Sequence, residues 1–125
     1  MGDIDGDGDI DVLITNGNGT VRLFRNDAAK KGRWLSVRTF DPVLRRDAIG
    51  AIVRVRTGAR TQVREIWHTY GYLSSSDASA YFGLGAVDRV DEIRVRWPDG
   101  AVELFGPYQP DRTVELVKGA GRRAP

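Results

Sequence analysis

Apolar and polar residues alternate along most of this chain, in short runs separated by glycine, proline, asparagine and aspartate. The clearest run is Gly50 to Thr57, with Ala51, Val53 and Val55 on one side and Arg54 and Arg56 on the other. Asp91 to Trp97 repeats the pattern, with Ile93, Val95 and Trp97 inward and Arg94 and Arg96 outward. Successive side chains of a strand point to opposite faces, so a period of two predicts half-buried strands. Further strands are predicted at Arg33 to Arg38, Gln62 to His68, Ala80 to Phe82, Val102 to Leu104 and Thr113 to Val117. Ahead of them, Val12 to Thr15 and Thr20 to Asn26 flank Asn16-Gly17-Asn18-Gly19, a hairpin turn. Pro98-Asp99-Gly100 supplies a tight turn with proline at its first central position. Helical periodicity is nearly absent, and only Ala86 to Val90 has room for a helical turn. Strand signals at roughly 8–12-residue spacing predict an all-β fold: an antiparallel sandwich or barrel of about seven strands, preceded by a β-hairpin.

At 125 residues the chain is one domain's worth, able to bury a single core without disulfides. A polar link from Asp27 to Gly32 is the one candidate boundary, dividing a hairpin unit over 1–27 from a β domain over 33–118. Residues 119–125 are expected to fray as a flexible basic tail. The chain has no cysteine, which excludes a disulfide framework, a thiolate zinc site and a cysteine nucleophile. An apolar fraction of 41 % with 29 % charged residues suits a soluble globule. No apolar run approaches the length of a membrane span, so no membrane insertion is expected. Met1 leads directly into Gly2 and Asp3, without the basic and then apolar stretch of a signal peptide.

The net charge of +2 hides an asymmetry. Residues 1–11 hold five aspartates and no base, so residues 12–125 carry a formal +7. Sixteen of the 19 bases are arginine, many alternating with valine or isoleucine as on the wet face of a sheet.

The acidic head is the most informative stretch. In Asp3-Ile4-Asp5-Gly6-Asp7-Gly8-Asp9-Ile10-Asp11, carboxylates recur at every second position, with glycine sixth. Calcium takes six to eight oxygens from a flexible loop, and this spacing turns several carboxylates toward one point. Asp3, Asp5, Asp7 and Asp11 are expected to offer side-chain oxygens and Asp9 its carbonyl, with Ca2+ bound. Without a cation, two carboxylates about 4 Å apart repel by roughly 1 kcal/mol in water and about 4 kcal/mol at an effective dielectric of 20. An EF-hand is excluded, because its twelfth-position glutamate would fall at Ile14 and a strand follows instead of a helix. Magnesium, which demands tighter octahedral geometry, suits the loop less well. Loss of Asp7 is expected to abolish any gain in melting temperature from calcium.

Gly2 to Val12 resembles the calcium-binding loop of the FG-GAP/VCBS repeats, the blades of integrin-like propellers. The aspartates that hold calcium in that family match Asp3, Asp5, Asp7, Asp9 and Asp11. Only one such unit is present, so it either packs on the body or is the last blade of a longer protein, with upstream repeats as its partners. Beyond it, Arg46-Asp47-Ala48-Ile49-Gly50-Ala51, Gly71-Tyr72-Leu73-Ser74, Phe82-Gly83-Leu84-Gly85 and Trp97-Pro98-Asp99-Gly100 together resemble the ASPIC/UnbV domain, from about Trp34 to Val117. That family follows FG-GAP repeats at the C-terminus of secreted proteins, which implies a secreted or cell-surface location. Arg45 and Ser75 depart from its usual asparagine and glutamine.

Arg46, Asp47, Tyr72 and Ser74 form a candidate polar ligand clamp, although Asp47 could equally cap its own turn. His68, with Ser74, Ser75, Ser76 and Asp77 nearby in sequence, can be written as a hydrolytic triad but lacks the strand–elbow–helix that exposes a nucleophile. No catalytic residue is therefore assigned. Gly83-Leu84-Gly85 lacks the third glycine and the βαβ unit of a dinucleotide site. The arginine stripe Arg54, Arg56, Arg94 and Arg96 could meet nucleic acid, but arginine alternates on any exposed strand and the stripe suits an anionic polysaccharide better. The reading is a non-catalytic, calcium-binding extracellular module for adhesion or ligand binding, with a protein or glycan as ligand. The alternatives are a carbohydrate-binding module using Tyr70, Tyr72 and the stripe, or an accessory domain of a secreted hydrolase.

Overall fold

The computed structural model describes residues 1–29 and 32–124. All regular structure among them is β, in eleven strands. β1 (Val12–Ile14) and β2 (Arg22–Phe24) form the N-terminal hairpin. The body holds β3 (Arg33–Asp41), β4 (Arg46–Asp47), β5 (Ile52–Thr57), β6 (Arg60–Glu65), β7 (Ala80–Gly85), β8 (Glu92–Arg96), β9 (Val102–Phe105), β10 (Arg112–Val117) and β11 (Arg122–Arg123). Neither body sheet closes into a barrel, so the architecture is a sandwich.

One sheet runs β11-β9-β8-β5-β6, antiparallel throughout. The other is built around β3, which carries β10 on one edge and β7 and then β4 on the other. The expected alternation sets the core: Val53, Val55, Ile93, Val95 and Trp97 point inward from the first sheet, and Leu35, Val37, Phe82, Leu84, Val114 and Leu116 from the second. Arg54, Arg56, Arg94 and Arg96 face away from it.

Three expectations are corrected. The body is not purely antiparallel, because β10 pairs β3 in parallel from Arg112–Leu35 to Val117–Phe40. No helical turn forms at 86–90; Val90 instead bridges Tyr108 through two backbone hydrogen bonds of 2.9 and 3.0 Å. Residues 119–124 do not fray. The Glu103 carboxylate, buried in the sandwich, accepts the Gly119 N–H at 2.9 Å and the Gly121 N–H at 3.2 Å, which folds the chain back so that β11 adds to β9. Pro125, and the Lys30-Lys31 part of the expected link, lie outside the described residues. The turn at Trp97-Pro98-Asp99-Gly100 forms as its sequence predicts, with the Gly100 N–H on the Trp97 carbonyl at 2.9 Å and Gly100 at φ 89°.

Candidate functional site: the acidic loop and its seat on the body

An antiparallel bridge closes the loop at its base. The Asp11 N–H donates to Gly2 O at 2.8 Å, and the Gly2 N–H to Asp11 O at 3.2 Å. Between them the chain turns sharply at Gly6 (φ 77°) and Gly8 (φ 93°). The Asp3 carboxylate organises the turn: Oδ1 accepts the N–H groups of Gly6 (2.8 Å) and Asp7 (3.1 Å), and Oδ2 that of Gly8 (2.8 Å). Asp11, only 1 % exposed, ties the loop to the segment that follows β2. Its Oδ2 accepts the Ile4 N–H and its Oδ1 the Asn26 N–H, both at 2.8 Å.

Within the loop so folded, one carboxylate oxygen from each of Asp3, Asp5 and Asp11 lies within 4.8 Å of the others. Asp7 and Asp9 stand outside that group; Asp7 Oδ1 is occupied by the Asp9 N–H at 2.9 Å. The converging donors are all carboxylate oxygens, the chemistry of a hard cation. Each carboxylate has about four lone-pair sites, so the two or three N–H bonds accepted by Asp3 and Asp11 leave capacity for a cation. The residues present therefore fit calcium. Arg25 is the local counter-charge, with Nε 2.7 Å from Asp27 and 3.9 Å from Asp5. Its hydrogen bond to Asp27 is the main reason its guanidinium is held above the ordinary value.

The loop is seated on the body. Gly8 lies so close to Trp34 that a Cβ there would stand 2.2 Å from the indole. The Tyr81 hydroxyl accepts the Asp3 N–H at 3.2 Å and donates to Asp77 at 2.9 Å, and the Asp77 N–H donates to Met1 O at 2.8 Å. Burial, reinforced by the bond to Asp77, pushes the Tyr81 hydroxyl up to about 12.

The expected clamp is not assembled as one cleft. Arg46 and Asp47 form β4 and line a cleft with Asp41, Ile49, Asp99 and Lys118, without Tyr72 or Ser74. Asp47 there meets Arg38 at 3.3 Å. Tyr72 sits almost wholly exposed in the turn closed by the Gly71–Ser74 bridge. His68 Nδ1 is buried without a hydrogen-bond partner among the described residues, so none of their carboxylates orients it through that nitrogen as a triad would require. Sequence reasoning missed Lys118, whose Nζ lies 3.2 Å from Asp41 and 2.6 Å from Asp99. Its signal is one of only three lysines in an arginine-rich chain, too weak to find its partners.

The fold and loop define a class: an all-β module in which an acidic-loop repeat runs into a sandwich domain. Residues 3–55 match the FG-GAP-like repeat and residues 43–123 match the family described as ASPIC and UnbV. The chain belongs to the ASPIC and UnbV family, with the FG-GAP-like repeat ahead of it. It is 31 % identical over 105 residues to cartilage acidic protein 1 of Xenopus tropicalis, covering 80 % of this chain and 16 % of that protein. It is 32 % identical over 103 residues to the proteins of the same name from Mus musculus and Homo sapiens, covering 78 % of this chain and 16 % and 15 % of theirs. The chain thus spans about a sixth of the length of these curated relatives.

Proposed function

We propose that this chain is a non-catalytic extracellular module for adhesion or ligand binding, in which Asp3, Asp5 and Asp11 hold a structural calcium ion. The observation that carries the reading is the convergence of three carboxylates in a loop sewn to both the hairpin and the body. A cation there would offset the repulsion among those charges and stabilise the folded form by mass action. The extracellular setting is supported by the similarity to cartilage acidic protein 1 and by the FG-GAP-like repeat. Leu13, Ile14, Val21, Leu23 and Phe24 stand about half exposed on the two-stranded hairpin, a surface suited to further repeats of a parent protein.

Asp5 is the discriminating residue: it faces Asp3, Asp11 and the more distant Arg25, and unlike Asp3 and Asp11 its carboxylate accepts no backbone N–H among the described residues. For an extracellular-type site with a dissociation constant of about 0.1–1 mM, calcium at ~1 mM contributes about 0.4–1.4 kcal/mol, a rise in melting temperature of roughly 2–6 °C. Asp5→Asn is expected to abolish that rise, while the calcium-free melting temperature stays within about 2 °C or rises slightly as repulsion among the carboxylates is relieved. Calorimetry that detects no heat of calcium binding to the parent chain at millimolar concentration overturns the reading.

A further inference from the structure

The outer face of the five-stranded sheet concentrates positive charge. Following the register across the strands, one row reads Val63, Arg54, Arg94, Leu104, Arg122. Arg54 and Arg94 are directly opposite each other. Like charges in that position repel each other. Arg96 adds a fourth guanidinium diagonal to Arg54, opposite Ile52 and Val102. Arg56 adds a fifth, opposite Glu92 and 3.7 Å from Asp91. The acids on or beside the face are Glu65, Glu92 and Asp91, and Asp91 is shared with Arg89. Arg54, Arg96 and Arg122 have no acidic partner among the described residues.

We infer that this face is a binding surface for a linear sulfated or carboxylated polysaccharide. Strands about 4.8 Å apart set Arg54 and Arg122 roughly 14 Å from each other, a spread of positive charge suited to several anionic groups in succession. The planar guanidinium presents paired N–H donors that match sulfate and carboxylate oxygens, which a lysine would not do. No aromatic side chain stands among the arginines of the row; Trp67 and Tyr70 lie only at its β6 end, in a hollow with Val63. Bases could therefore not stack in succession along the guanidinium groups, and that favours a polysaccharide over a single-stranded nucleic acid. The structure adds Arg122 to the stripe legible in the sequence, because β11 pairs onto β9. The surface lies on the sheet that does not contact the acidic loop through Trp34 or Tyr81, and the inference does not depend on the calcium reading.

The test uses fluorescein-labelled heparin and the full 125-residue chain. Heparin should bind with an affinity that falls steeply with salt and is unchanged by chelator, whereas neutral dextran of similar length should not bind. Arg54→Ser with Arg96→Ser should weaken heparin binding by about tenfold or more and flatten the slope of log affinity against log salt by about one to two. Arg22→Ser with Arg112→Ser removes the same charge from the hairpin and from β10 of the other sheet, and should change affinity by no more than about twofold, the residual effect of net charge. Far-ultraviolet circular dichroism confirms that each variant is folded. Equal weakening in both double variants, or none in the first, overturns the inference. So does loss of heparin binding in chelator. Binding of an oligothymidylate more tightly than heparin through the same arginines overturns the choice of polysaccharide.

Discussion

Single side chains do much of the local folding here, and Tyr81 is the clearest case. Its hydroxyl is both acceptor to the loop (Asp3 N–H) and donor to the body (Asp77), and burial raises it to about 12. A tyrosine whose folded value exceeds its unfolded value of 10.0 retains its proton longest in the native state, so its contribution is present below pH 10 and is lost as pH rises toward 12. Chemical denaturation from pH 9 to 12 should show stability falling across that window. Tyr81→Phe should be less stable at neutral pH and show a smaller alkaline loss; the remainder comes from Tyr108 and Lys118, which are shifted upward too. Asp3 shows the limit of reading from spacing. The sequence marks it as a ligand, but three backbone N–H groups also claim its oxygens, and that competition is decided by the turns at Gly6 and Gly8. For the same reason the five-aspartate pattern was legible while the subset Asp3, Asp5 and Asp11 was not.

At the scale of elements, β5 and β8 were legible because both are long enough to alternate and each buries one face. β4 and β11 were not, because two residues carry no period. Side-chain caps specify them instead. The Asp41 carboxylate accepts the Val43 and Leu44 N–H groups ahead of β4, and Glu103 collects the N–H groups of Gly119 and Gly121 ahead of β11. The Leu44 N–H, together with Lys118, holds the Asp41 carboxyl below its usual range despite burial. The parallel direction of β10 was likewise hidden, since alternation is the same whichever way a neighbour runs. Glu103→Gln removes the charge that binds the C-terminal turn while keeping its shape. It should cost about 1–2 kcal/mol, the difference between charged and neutral acceptors. Hydrogen exchange should then quicken over residues 119–124, and unchanged protection there would refute the capping role.

At the scale of the molecule, the acidic head and basic body read from the composition are in contact, and the joint is Gly8 on Trp34. Gly8→Ala would add a methyl group 2.2 Å from the indole at a residue with φ 93°, so the loop must lift away. We expect a cost of about 1–3 kcal/mol from strain and lost packing, with a red shift of tryptophan emission as Trp34 is uncovered. Calcium affinity should fall in the same variant, because Asp3 is positioned by the same seat. The body needs no such joint to form its core, so the cooperative unfolding of the sandwich should persist.

β3 receives the acidic loop at Trp34, near its start, and, along one edge, the parallel strand β10 that begins 77 residues after Leu35. That pairing joins distant parts of the chain, and contacts of such long sequence separation slow the search for the native state. On a ribosome, the strand at the heart of the second sheet would wait with one edge open until the chain as far as Val117 had been made. Its closure would therefore follow the emergence of every strand from β4 to β9.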